Sequence, residues 1–109
     1  IATDGELGAS DFTLDLAQQL RYAGPWGQGF AEPAFDGEFA LDSWRVVGER
    51  HLKLKLRQSD GGELLDAIAF GAYAGEPPPS HLRAVYSLDV NEWNGRLSLQ
   101  LLIRHLEAA

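Results

Sequence analysis

The chain contains no cysteine, which excludes a disulfide scaffold, thiolate metal sites, cysteine nucleophiles and thiol redox chemistry. It has no methionine either and begins at Ile1, so we expect a piece of a longer protein. No apolar run approaches the roughly 18 residues a membrane helix needs. The opening Ile1-Ala2-Thr3-Asp4 lacks the basic and apolar regions of a secretion signal, and the expected location is cytoplasmic. Lysine is scarce, with Lys53 and Lys55 the only two, and they lie on one short segment.

What is present fits one globular domain: 109 residues, 45% apolar and 23% charged. The formal charge of −7 argues by itself against a polyanionic partner. Its distribution argues otherwise. Between Trp44 and Ser59 five basic residues (Arg45, Arg50, Lys53, Lys55, Arg57) face the single acid Glu49, a local balance of +4. The other four basic and fifteen acidic residues leave −11 for the remainder. A basic patch on an acidic body binds an anion at one defined place.

Ser10 to Leu20 reads as an amphipathic helix, with Ser10 as N-cap and Phe12, Leu16 and Leu20 at four-residue spacing. Gly24-Pro25 is its stop signal, and Gly24 to Pro33 is a shaped loop. From Ala34 the period changes to two. Five strands are predicted: Phe35 to Val47, Arg50 to Gln58, Leu64 to Tyr73, Arg83 to Glu92 and Arg96 to His105. The type I′ signal Asn94-Gly95 pairs Trp93 with Arg96. That register sets Val90, Leu88 and Tyr86 opposite Leu99, Leu101 and Ile103 on one face, and Asp89 and Asn91 opposite Gln100 and Ser98 on the other.

The expected fold is mainly β, a small five-stranded OB-like barrel preceded by one helix, with an SH3-like barrel as the alternative. Residues 1–33 are expected to form an extension packed on a barrel of residues 34–109, the whole making one compact domain.

Arg50-His51-Leu52-Lys53-Leu54-Lys55-Leu56-Arg57 carries the sharpest signal. Alternation puts the leucines on one face and His51, Lys53, Lys55 and Arg57 on the other, a ladder of cations roughly 7 Å apart that can follow a sugar-phosphate backbone. A solvated face that keeps the strand soluble is the plain alternative. Trp26 and Phe30 in the loop and Trp93 at the hairpin tip offer rings on which bases stack; packing of Trp26 and a cross-strand cation–π pair of Trp93 with Arg96 are the bland readings. Trp44 is expected in the core. His51, His81 and His105 fall on separate segments without metal-ligand spacing, and Gly27-Gln28-Gly29 follows a helix where a dinucleotide fingerprint would precede one. No catalytic or metal site is expected on this chain.

Three stretches resemble the C-terminal OB-fold domain of the RecJ family of single-stranded-DNA-specific exonucleases. They are Ala23 to Phe39 around Gly24-Pro25-Trp26-Gly27-Gln28-Gly29-Phe30, then Val47 to Leu54, and then the hairpin Tyr86 to Leu101. The likeness runs in order through nearly the whole chain and is weakest over Gly75 to Ser80. It implies a parent enzyme of DNA repair and recombination that degrades single-stranded DNA from the 5′ end with Mn2+ or Mg2+. That metal would sit in DHH and DHHA1 domains, whose Asp-His-His and Gly-Gly-His signatures do not occur here. This domain would then bind single-stranded DNA without cutting it, with repair proteins as further candidate partners. By resemblance the contacts fall on His51, Lys53, Trp26, Gln28 and Phe30; the face argument adds Arg45, Lys55, Arg57, Trp93 and Arg96. A protein-interaction or structural domain with little DNA affinity is the alternative.

Overall fold

The computed structural model describes residues 3–21 and 32–109. Five strands, β1 (Phe35–Val47), β2 (His51–Gln58), β3 (Leu65–Ala69), β4 (His81–Trp93) and β5 (Arg96–Ala108), follow a helix α1 (Leu14–Arg21). They close into a barrel in the order β1-β2-β3-β5-β4, antiparallel throughout except for the β3–β5 pair. This is the OB-fold.

Closure depends on β1. Phe35 to Ala40 pair with β4, and Phe39 to Val47 pair with β2, so Phe39 and Ala40 are bonded on both sides. A bulge between Leu41 and Ser43 bends the strand as it passes from one partner to the other. Alternation then sorts the side chains. Leu52, Leu54 and Leu56 of β2, Ala67 and Ala69 of β3, Leu82, Ala84, Tyr86 and Leu88 of β4, and Leu101 and Ile103 of β5 fill the interior around Phe39. Three alanines among them let the strands curl tightly.

The β4–β5 hairpin has the expected register, with Trp93 opposite Arg96, Val90 opposite Leu99 and Asp89 opposite Gln100. Asn94 (φ 50°) and Gly95 (φ 74°) both take the positive φ that a type I′ turn demands.

Three expectations are corrected. The third strand, expected to reach Tyr73, stops at Ala69. Ser10 does not cap the helix: Asp11 Oδ2 accepts the Gly8 N–H (2.9 Å), and residues Ala9–Asp11 close a separate 3-10 turn. Phe12 leaves helical geometry, so α1 restarts with the Leu16 N–H donating to Thr13 Oγ1 (3.1 Å). The apolar face survives the shift, because Phe12, Leu16 and Leu20 still pack on the core and the Phe12 ring stacks on Tyr86 at 5.8 Å. The Gly24-Pro25 stop lies outside the described residues. Trp44 is not in the core but 39% exposed, beside Tyr73 at 6.2 Å. Past Leu41, β1 has parted from β4 and pairs with β2 alone, so its inward side there faces no barrel interior.

Burial, reinforced by Asp36, Glu6 and Asp11, pushes the Tyr86 phenol above its ordinary value of 10.0. A raised folded value means the contribution is full below the unfolded value and is lost as pH rises beyond it. Urea unfolding should therefore show stability falling above pH about 10, and Tyr86→Phe should remove the part of that fall due to this phenol. On β2, Leu56→Ala should cost about 2–5 kcal/mol by the same measurement, whereas Lys53→Ala on the opposite face should stay within about 0.5 kcal/mol.

Candidate nucleic-acid interface

The face of β2 opposite the leucines carries His51, Lys53, Lys55 and Arg57, and its neighbours extend it sideways. Arg45 of β1 lies opposite Lys53, and Ser43 opposite Lys55. On the other side Lys53 meets Ile68 and Lys55 meets Asp66 of β3. The parallel pairing of Ala67 with Leu101 continues the rung into β5, placing Gln100 beside Asp66. Of these, Ser43, Arg45, Lys53, Lys55, Asp66 and Gln100 line a cleft of about 300 Å3, together with Trp44, Leu54 and the β4–β5 residues Asn91, Ser98 and Leu99.

The charges in the cleft are unevenly matched. Lys55 Nζ is 2.8 Å from Asp66 Oδ1, both side chains being about half exposed. Lys53 and Arg45, paired across strands, have no carboxylate partner among the described residues. Like charges directly opposite each other in a sheet repel. Two basic groups outside the cleft are held by carboxylates: Arg83 donates to Asp36 (2.6 Å) and Glu38 (3.1 Å), and Arg104 bridges Ser87 and Glu32.

The other sequence candidates are placed differently. Arg57 turns along the strand and donates to the Gly62 carbonyl, outside the cleft lining. His51 Nδ1 accepts the Gly71 N–H at 2.9 Å and its ring meets the edge of Phe70 at 5.2 Å, so it clips the end of β3 to the start of β2. Trp93, 73% exposed, stands opposite Arg96 at the hairpin tip, and neither lines the cleft. Trp26, Gln28 and Phe30 lie outside the described residues.

Asp66, Phe70, Asn91, Ser98 and Gln100 are not singled out as site residues by the sequence. Period two places Ile68 and Phe70 on the cationic face, and Phe70 is 63% exposed. The hairpin register puts Asn91, Ser98 and Gln100 on one polar face. The β3–β5 pairing is what brings that face to Lys55, and no local pattern announces it.

Among the described residues no group of three or more His, Cys, Asp or Glu side chains is placed to hold a metal ion. No helix among them is long and apolar enough to cross a membrane.

The family model for the RecJ OB domain matches residues 3–105. The chain belongs to the RecJ OB-domain family. It is 53% identical over 107 residues to the single-stranded-DNA-specific exonuclease RecJ of Dickeya dadantii, covering 95% of this chain and 19% of that protein. Similarity to RecJ of Escherichia coli is 47% over 109 residues, 97% of this chain and 19% of the relative. In three dimensions it is similar to RecJ from Thermus thermophilus, crystallised in complex with Mg2+, at a TM-score of 0.78 and 24% identity. That match covers 100% of this chain and 17% of the solved one, and it supports the fold. This RecJ OB domain thus spans about a fifth of the length of the relatives it matches.

The His51 clip gives a local test. In His51→Ala the Gly71 amide should exchange with solvent markedly faster while core amides such as that of Leu54 keep their protection, at a stability cost of about 1 kcal/mol. An unchanged Gly71 exchange rate would contradict the clip.

Proposed function

We propose that this domain grips single-stranded DNA for a RecJ-type 5′-to-3′ single-strand-specific exonuclease of DNA repair and recombination, acting in the cytoplasm. The observation that carries this reading is the rung of Arg45 and Lys53: two facing cations left without a carboxylate among the described residues, in a chain of net charge −7. Such a pair gains most when an anion sits between its members. Successive cations on β2 stand roughly 7 Å apart, which is of the order of the phosphate spacing in an extended strand. The cleft, about 300 Å3, is of the size of a single nucleotide and not of a base pair with both its backbones.

Phosphate contacts position a strand without reading it, so the grip is sequence-tolerant. Lys55 contributes less than Lys53, because Asp66 already neutralises it and competes with the incoming phosphate. In this reading residues 1–33 form an extension laid on the barrel of 34–109, and the two act as one body. Cleavage, with its Mn2+ or Mg2+, belongs to DHH and DHHA1 domains elsewhere in the parent protein, with repair proteins as further partners. His51, Arg57, Trp93, Arg96, Trp26, Gln28 and Phe30 remain candidates for contacts outside the cleft.

A salt titration of binding to a labelled single strand tests this. Lys53→Ala and Arg45→Ala should each weaken binding several-fold and flatten the log–log salt slope by about 0.7. Asp66→Asn should do the reverse, raising affinity and steepening the slope as Lys55 is released. If the Arg45/Lys53 double variant is folded and binds as tightly as the parent, the grip is elsewhere, and a protein-interaction or structural role gains support.

A further inference from the structure

Apart from the Tyr86 phenol, the only buried polar side chains among the described residues are Ser87 and Gln100. Ser87 Oγ is satisfied by Arg104 Nε at 2.6 Å. Gln100 is 8% exposed, and its side-chain amide has no hydrogen-bond partner among the described residues. No fully enclosed side-chain nitrogen or oxygen among those residues lacks a partner, so the amide of Gln100 reaches what little solvent touches it, at the cleft it lines. Asn91 and Ser98, paired across β4 and β5, line the same wall, and their side chains are likewise unbonded among the described residues. A nearly buried primary amide with its donor and acceptor open to a cleft has both free for a bound group.

We propose that Gln100, flanked by Asn91 and Ser98, forms a nucleobase subsite that takes the pairing edge of an unpaired base. The proposal rests on the single-strand grip described above and adds what that grip lacks, a reason to prefer single strands. Every nucleobase offers hydrogen-bond donors or acceptors, or both, on its pairing edge, and a rotatable amide meets each pattern by turning over. The subsite is therefore tolerant of sequence. In a duplex those edges are occupied by the complementary strand, and the subsite has nothing to bind. Geometry supports the division of labour. Lys55, Asp66 and Gln100 are neighbours on β2, β3 and β5, so the cation and the amide stand two strands apart, roughly 10 Å, about the reach from a phosphate to the far edge of its own base.

The test uses the whole protein carrying this domain, with divalent metal removed so that no strand is degraded. Binding of a short oligodeoxythymidine is compared with that of an abasic backbone of equal length, across a salt series. The parent protein should bind the base-bearing strand several-fold more tightly. Gln100→Leu should remove most of that advantage while leaving the salt slope unchanged. Asn91→Ala, at a partly exposed position where folding is not at stake, should remove part of it. If both variants keep the full advantage while salt-dependent binding persists, the subsite is wrong and the phosphate grip stands. If neither strand binds with a salt dependence that Lys53→Ala and Arg45→Ala reduce, the grip itself fails, and this proposal with it.

Discussion

β1 pairs with two strands at once, and everything else in the domain is arranged around that closure. Phe39 and Ala40 are bonded to β2 on one side and to β4 on the other. Once the ring is shut, each strand has an inside and an outside. A leucine on β2 is then necessarily buried and the lysine next to it necessarily outward. The same closure brings β5 beside β3, which joins the polar face of the last hairpin to the cationic face of β2. Without it the two would be unrelated surfaces.

The strand pattern was legible in the sequence because it is local. Alternation in His51 to Arg57 and the positive φ required at Asn94-Gly95 set two strand faces and a hairpin register with no knowledge of the rest. What was not legible depended on contacts between distant segments or on a turn that competes with the helix. The start of the helix was decided by Asp11 taking the Gly8 amide in a turn of its own. Trp44 escapes the core because β1 outruns its pairing with β4. His51 stands on the expected face but is committed to the Gly71 amide. Asp66 and Gln100 joined the cleft only through strand pairings that neither residue's own neighbours announce.

The electrostatics of the face follow from the same geometry. An acidic body repels polyanions at long range, so in the proposed reading affinity comes from a few groups at short range in a partly desolvated cleft. Arg83 and Arg104 are engaged by carboxylates and serve the barrel, tying Asp36, Glu38 and Glu32 to their neighbours. Lys53 and Arg45 face each other without such a partner among the described residues, with the open amide of Gln100 further along the same cleft wall. As proposed, the cations would take a phosphate at one end and the amide a base at the other, which is the polarity of a nucleotide.

The most direct test of that arrangement maps the contact itself. A short oligodeoxythymidine titrated into the 15N-labelled domain should shift the backbone amides of Arg45, Lys53, Lys55, Asp66 and Gln100 together, and the side-chain amide of Gln100 with them. Shifts confined to other surfaces, such as the acidic side around Glu6 and Glu38, or no shifts at low salt, would contradict the account.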